Sequence, residues 1–268
     1  MTRSVGFVGA GQMGEPMVAR LVGAGHRVVV YARRDEVRER LRALGATVAD
    51  AAAEAAAQPV VIVCLYDDAQ LTEVLGAPGG VLERAARDAV IVSHTTGSIA
   101  TLRALAAAHP DGPVLLDGPI SGGPHDIAAG ELTVLLGGPA AAVETVRPVL
   151  SAYAGNIVAT GGLGTALAVK LINNALFSAN AQLVATAVRI GGELGIAERD
   201  LLDALSLCSG RSYAAGSIRR GGGVAGFERV VDRFLRKDVA ACLEAADSAG
   251  IALGPLAAVI ADGPFDLV

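Results

Sequence analysis

Three stretches of the chain combine residue types and spacings that could do chemistry. The first is Gly9-Ala10-Gly11-Gln12-Met13-Gly14, set between a strand-like run, Val5 to Val8, and a helical pattern that continues through Leu21. A G-x-G-x-x-G turn in that context suits a dinucleotide pyrophosphate. Gly9 makes the tight turn, Gly11 lets backbone approach the anion, and Gly14 permits close packing of helix on strand. The helix N-terminus then faces the negative charge. A bare strand-to-helix turn would use the same glycines, so the reading rests on strand, motif and helix together. Gln12 and Met13 inside the turn, and Leu65 at the end of the run Val60 to Leu65, complete the expected lining on this side.

The second strand-like run, Arg27 to Tyr31, continues as Ala32-Arg33-Arg34 and offers no carboxylate before Asp35. An NAD site usually places Asp or Glu there for the ribose 2′-hydroxyl. Two guanidinium groups instead suit a 2′-phosphate, which Arg grips through paired hydrogen bonds, and this predicts NADP in preference to NAD. The alternative is that Arg33 and Arg34 simply open a solvated helix, as Arg38, Arg40 and Arg42 are expected to do.

The second stretch is Thr165 to Leu194, which reads as one long helix of roughly 45 Å at ~1.5 Å per residue. It is apolar almost all round, so it is either a membrane span or a helix buried among others. A span would place Lys170, Asn173, Asn174, Asn180, Gln182 and Arg189 in hydrocarbon, at ~2.5 to 3.5 kcal/mol for each charge near the centre. The buried helix is the better reading. Lys170, Asn174 and Ser178 fall at i, i+4 and i+8 on one face, and Gln182 extends the stripe. A lysine amid Ala168, Val169, Leu171 and Ile172 should open onto a cavity. Partial desolvation would bring its pKa toward the range useful for proton transfer, with Asn174 holding the amine. A lysine snorkelling at the helix edge explains the same pattern.

The third stretch is Asp117-Gly118-Pro119-Ile120-Ser121-Gly122-Gly123, after another strand-like run. Bare backbone beside a Ser hydroxyl offers donors to a carboxylate or oxyanion. An ordinary tight turn would look alike. The chain contains no Ser-His-Asp ordering, H-E-x-x-H, C-x-x-C or P-loop, and no metal site is expected. His94 and His125 fall near the presumed site without an evident partner, and His26 and His109 read as surface turn residues.

The elements that must position these groups are legible from rhythm. Up to about residue 160 the runs Val5 to Val8, Arg27 to Tyr31, Val60 to Leu65, Ala89 to Ser93, Val114 to Asp117 and Leu132 to Leu136 alternate with helical stretches, as in a parallel sheet with helices on both faces. Beyond it the strand runs stop and helical patterns continue, with Gly221 to Gly223 as a loop. The expectation is α/β: an N-terminal, Rossmann-type doubly wound sheet over residues 1–161 that binds NADP, then an all-helical domain over 162–268 that begins with the long interdomain helix. The 268 residues are 52% hydrophobic but only 3% aromatic, with no Trp, so Ala, Val, Leu and Ile must fill the core. A net charge of -5 argues against nucleic acid and anionic membranes as partners, since both attract cationic surfaces. Cys64, Cys208 and Cys242 are too scattered for a disulfide framework and read as buried thiols. With no basic-then-apolar leader ahead of SVGFVGA, the expected location is the cytoplasm.

Taken together, four blocks in order closely resemble the β-hydroxyacid dehydrogenase family. GFVGAGQMGEPMVARL is similar to its N-terminal cofactor motif, DGPISGG to its substrate motif, GLGTALAVKLINN to its catalytic motif, and FLRKDVAACLEAA to its C-terminal cofactor motif. The resemblance implies that Lys170 gives or takes the proton, that Asn174 supports it, and that Ser121, Gly122 and Gly123 hold a substrate carboxylate. It places Thr96 near the nicotinamide and Lys237, followed by Asp238, at the cofactor or the cleft. It implies hydride exchange between NADP(H) and a small hydroxy acid or its semialdehyde or 2-oxo counterpart, a helical domain like that of 6-phosphogluconate dehydrogenase, and a homodimer or homotetramer. Three departures stand out: Pro124-His125-Asp126-Ile127 where a small Gly-Ala pair is usual, Ser93 in place of a customary Asp, and an end at GPFDLV before the last helix looks complete. An imine reductase resembles the same family but usually carries Asp or Tyr at the position of Lys170. A catalytically silent dinucleotide-binding protein is the reading from another class.

Overall fold

Short apolar runs become the strands of one nine-stranded sheet in the computed structural model, which describes residues 2–268 apart from the side chains of 231–233. The strands are β1 (Ser4–Val8), β2 (Arg27–Tyr31), β3 (Thr47–Ala49), β4 (Val60–Val63), β5 (Val90–Ser93), β6 (Val114–Asp117), β7 (Ile120–Ser121), β8 (Leu132–Gly137) and β9 (Ala154–Gly161). Their spatial order begins β3-β2-β1-β4-β5-β6, all parallel, so the winding reverses between β1 and β4. That reversal opens a crevice at the carboxyl ends of the two strands, the place where doubly wound sheets bind ligands.

Helices cover both faces, which is why β4 and β5 are buried at every residue. Alternate side chains divide between two cores. Phe7, Val60 and Ile62 join Met17, Leu21, Val146 and Tyr153 on one face, whereas Val8, Val61 and Val63 join Leu75, Leu102 and Leu167 on the other. Beyond β6 the sheet departs from the parallel expectation, because β8 runs antiparallel to β6 and β7 and parallel to β9. A parallel return needs a crossover of a dozen or more residues. The chain between β7 and β8 holds only the short helix Pro124–Ala129, so it must turn back on itself.

The chain divides into two compact units, one up to Lys170 and one from Leu171 to Val268. The division falls inside the 29-residue helix Thr165–Glu193. In the second unit this helix is accompanied by Glu198–Leu207, Tyr213–Arg220, Val224–Ser248 and Pro255–Asp262. The long helix is less enclosed than its composition suggests. Ala175, Ala179 and Ala181 are buried, but Ile172, Leu176 and Leu183 are each more than half exposed in the single chain. Lengthwise apolarity predicted burial all round, whereas the described residues cover one side, where Leu167, Leu171 and Val184 join the alanines. No helix of the described residues is long and apolar enough to cross a membrane.

Gln182, expected to extend the functional stripe, has a structural use instead. Its Nε2 donates to the carbonyls of Ile260 (2.8 Å) and Phe265 (2.7 Å), and its Oε1 accepts from Phe265 N–H (2.8 Å). A Cβ on Gly263 would lie 2.3 Å from the Gln182 side chain, so glycine at that position lets the tail close over it. Rings continue the anchorage, with centroids 5.8 Å apart for Phe227 and Phe265 and 6.2 Å apart for Phe227 and Phe177. Gln182→Ala should therefore lower unfolding free energy by about 1–3 kcal/mol, because it orphans buried backbone groups. It should also expose residues 255–268 to limited proteolysis, and urea titration with protease mapping reads both effects.

Candidate active site

Backbone geometry at the glycine turn matches the chemistry expected of it. Gly9 has φ +99°, and its N–H donates to Tyr31 O (3.2 Å), which ties the turn after β1 to the end of β2. A Cβ at Gly9 would lie 2.2 Å from Cys64 O, and one at Gly14 would lie 2.3 Å from Gly9 O, so strand, turn and helix pack too closely for any side chain there. A Cβ at Gly11 would meet nothing within 4 Å. Gly11 instead borders a cleft of about 340 Å³ at the β1/β4 reversal.

Gly9, Gly11, Arg33, Arg34 and Leu65 all line that cleft. Gln12 is exposed and Met13 packs partly against the core, and neither belongs to its wall. The arginines after β2 separate by their commitments. Arg38 has a side chain only 14% exposed and donates to Ala49 O (3.0 Å), Ala32 O (3.4 Å) and Asp50. Arg40 makes a two-pronged pair with Glu15 at 2.6 and 2.8 Å, and this holds the Glu15 carboxyl below the usual carboxylate range. These two were expected to be solvated. Arg38 in fact ties its helix, Asp35–Ala43, to the end of β3, whereas Arg40 stays exposed as expected while it pairs with Glu15. Arg34 faces Glu36 at 3.7 Å across an exposed surface, a weak pairing. Arg33 has no ion pair among the described residues and stands on the cleft wall.

Several wall residues escaped the sequence reading: Tyr31, Cys64, Tyr66, Gln70 and Glu73. Tyr31 and Cys64 simply follow from where β2 and β4 end. Gln70 and Glu73 belong to the helix Asp68–Gly76 and reach the cleft only because β4 lies beside β1. Desolvation pushes the half-buried Cys64 thiol up to about 12, which disfavours its thiolate, whereas Cys208 is exposed and not the buried thiol expected. Thr96 lies outside the cleft wall. Its neighbour Thr95 is buried, and its Oγ1 accepts from Leu65 N–H (3.2 Å), fixing the loop after β4. Ser93, buried in β5, has no partner for its Oγ.

The segment after β6 is held at several points. Asp117 is fully buried, and its carboxylate accepts from Gly164 N–H and Leu167 N–H, both at 2.8 Å. His94 Nδ1 bonds the carbonyl of Gly118, and its Nε2 lies 2.7 Å from Tyr153 Oη. A carbonyl only accepts, so Nδ1 carries the proton and Nε2 receives the tyrosine O–H. His94 thus has the two partners that its sequence context did not reveal. His26 also differs from its expected surface role, being buried and accepting from Arg3 N–H (3.2 Å).

Ser121 ends β7 half-buried, and Gly122 follows at φ +126°. The N–H of Gly123 donates to Asp126 Oδ2 (2.6 Å), so one of the three expected carboxylate donors is already taken by the chain's own carboxylate. Lys170 is half-buried at the end of the first unit. In the second unit Asn174 is 5% exposed with its Nδ2 unpartnered, and Ser178 is fully buried with its Oγ unpartnered. Buried polar atoms are rarely left so, and two of them at i+4 and i+8 from Lys170 mark this stripe as the polar seam of the helix. Lys237 is half-buried on the helix Val224–Ser248.

Comparison with known proteins adds independent findings. Residues 4–162 match the family described as the NAD binding domain of 6-phosphogluconate dehydrogenase. The 2-(hydroxymethyl)glutarate dehydrogenase of Eubacterium barkeri is 34% identical over 215 residues, covering 78% of this chain and 70% of that protein. The structure of Mycobacterium tuberculosis 3-hydroxyisobutyrate dehydrogenase with L-serine superposes with a TM-score of 0.85 at 27% identity, over 97% of this chain and 92% of that one. An imine reductase from Pseudomonas sp. shares the fold, with a TM-score of 0.65 at 23% identity over 97% and 92% of the two chains.

Burial of His94 has a consequence for pH. Desolvation pulls its pKa down to about 4 against an ordinary 6.5, so below pH 6.5 the unfolded chain binds a proton that the folded chain refuses. The His94 contribution should be complete above pH 6.5 and fall by about 1.4 kcal/mol per pH unit down to pH 4. Unfolding free energies measured from pH 7 to 4.5 should show this slope, and a His94→Gln variant should lack it.

Proposed function

The chain belongs to the β-hydroxyacid dehydrogenase family of oxidoreductases acting on CH–OH groups, and from that membership we propose that it uses NADP(H) to interconvert a small hydroxy acid and its carbonyl counterpart, a semialdehyde where the hydroxyl is terminal and β to the carboxylate or a 2-oxo acid where it is α. The observation that carries the reading is the cleft at the β1/β4 reversal. It presents the open backbone of Gly11 for a pyrophosphate and, two to three residues past β2, Arg33 and Arg34 where an NAD enzyme would present a carboxylate. The turn suits a dinucleotide because Gly9 and Gly11 border the cleft and Gly11 leaves its backbone open to approach. Arg33, not spent on an internal pair, is the principal 2′-phosphate ligand, and Arg34 assists it.

A bound nicotinamide supplies the hydride donor and acceptor. The chain's own residues do the rest. Lys170 donates a proton to the substrate oxygen during reduction and takes it back during oxidation, with the Asn174 amide holding the amine. Ser121 Oγ and Gly122 N–H hold the carboxylate, and this fixes the reacting carbon in place. Gly123 N–H joins them only if Asp126 turns away. The family resemblance assigns Lys237 to the cofactor. The names of the relatives share one pattern: 3-hydroxyisobutyrate, 2-(hydroxymethyl)glutarate and L-serine each carry a hydroxymethyl group on the carbon next to a carboxylate, and we assign this chain to that substrate class.

The Asp126 carboxylate beside the clamp favours one alternative, an imine reductase-like enzyme whose substrate is anchored at a non-anionic end. Retention of Lys170 weighs against it. Three free thiols suit a reducing compartment, so we place the enzyme in the cytoplasm. The exposed stripe of Ile172, Leu176 and Leu183 supports assembly as a homodimer or homotetramer.

Cofactor oxidation measured against small semialdehydes, 2-oxo acids and cyclic imines separates these readings, and turnover with none of them would leave a silent dinucleotide-binding protein. Lys170→Ala should reduce turnover by ~100-fold or more with nearly unchanged NADPH affinity. Arg33→Ala should weaken NADPH by about 10- to 100-fold and NADH hardly at all, with a smaller loss for Arg34→Ala. Equal losses for both cofactors in fluorescence titrations would remove the phosphate assignment.

A further inference from the structure

The long helix has an unusual beginning. Gly164, which precedes it at φ +93°, accepts the first helical hydrogen bond, from Ala168 N–H at 3.1 Å, and so stands in the N-cap position. Glycine has no side chain with which to satisfy the first-turn donors that every helix leaves open. A Cβ there would lie 2.7 Å from Ile99 Cγ2, so the position has no room for a capping residue of its own. The missing cap comes from 47 residues earlier in the chain: Asp117 at the end of β6 accepts Gly164 N–H with Oδ1 and Leu167 N–H with Oδ2. A Cβ on Gly137, its register partner on β8, would lie 2.3 Å from Asp117 Oδ1, so the carboxylate is confined from the sheet side as well.

We propose that Asp117 is a positioning residue for the reaction, a carboxylate that caps the long helix from the sheet and thereby sets the place of Lys170 relative to the Ser121–Gly123 loop. The proposal rests on the reading of Lys170 as the proton-transfer group. Lys170 lies three residues past Leu167, about 4.5 Å further along the helix axis, so less than one turn separates the anchored N–H from the lysine backbone. Ser121 lies four residues past Asp117 in the other direction. One side chain therefore links the helix turn that leads to Lys170 with the strand end that leads to the Ser121–Gly123 loop. The negative charge also suits its place, because a helix N-terminus carries partial positive charge. Thr165 Oγ1, 2.8 Å from Thr160 Oγ1 on β9, steadies the same turn but bonds no backbone N–H of the helix.

The test is Asp117→Asn, which keeps the size of the side chain but turns an NH2 toward one of the two helix N–H donors. Turnover should fall by ~10- to 100-fold, the cost of misplacing a reacting group by about an ångström. NADPH Kd by fluorescence should change less than about twofold, because the cleft lies at the β1/β4 reversal and Asp117 is not in its wall. The diagnostic measurement is the double variant. In a Lys170→Ala background Asp117→Asn should lower the residual rate by less than about twofold, since a residue acting through Lys170 has nothing left to position. An Asp117→Asn enzyme with wild-type turnover beside an inactive Lys170→Ala enzyme would overturn the positioning role alone. So would full additivity in the double variant. Near-wild-type turnover in Lys170→Ala would instead overturn the reading of the lysine, and this proposal with it. Should Asp117→Asn fail to fold, Gly137→Ala displaces the same carboxylate from the opposite side, and the same measurements decide in the same way.

Discussion

A carboxylate removed from water needs hydrogen-bond donors, and Asp117 finds them at Gly164 and Leu167, in the start of a helix 47 to 50 residues later. That exchange satisfies two needs at once. The helix start lacks a capping side chain because Gly164 has none and has no space for one. The strand end lacks water because helices cover both faces of the sheet. Much of the local sequence serves the bond. Gly137 makes room for the carboxylate, Gly164 turns the chain into the helix, and Leu167 is buried in the same core as Val61, Ile91 and Leu115. The Rossmann sheet and the Lys170 segment therefore belong to one compact unit.

The cofactor side obeys a second constraint, the allocation of cations. Four arginines follow β2 within nine residues, and charge alone does not distinguish them. Geometry does. Arg38 and Arg40 are engaged by backbone carbonyls, Asp50 and Glu15 beside the cleft-facing end of β2. Arg33 is left on the cleft wall with its charge unspent. A site that must recognise an anion needs a cation whose partner is the ligand, and the rigid neighbours keep that cation in register with the glycine turn.

The substrate side is less settled electrostatically, and this bears on specificity. The His94 ring, neutral and buried, passes a hydrogen bond from Tyr153 to the carbonyl of Gly118 and so fixes the near end of the loop. At the far end Asp126 holds Gly123 N–H, as an acidic residue at the third helical position commonly does at a helix start. On the proposed reading, the loop would meet a substrate with Ser121 Oγ and Gly122 N–H not bonded among the described residues and the Asp126 carboxylate close behind them. This is the feature that separates the two chemical readings of the site.

Much of this was legible in the sequence because it depends on local physics. The glycine turn, the strands built from Val and Ile, the long helix and the absence of an acidic residue after β2 each express preferences within a few residues, and the structure bears out the Rossmann sheet and the helical remainder. What was not legible depends on which distant groups meet. β3 and β7 are too short, and β9 too polar, to announce themselves. The partners of His94, the use of Gln182 to hold the tail, and the commitments of Arg38 and Arg40 all join residues whose proximity exists only once the chain is wound. Sequence alone determined the fold class, the dinucleotide turn and the polar stripe on the long helix, since backbone preference and apolar periodicity act at short range. Tertiary structure decided which polar groups remain available for a ligand, because a hydrogen-bonding group is free or spent according to its neighbours in space.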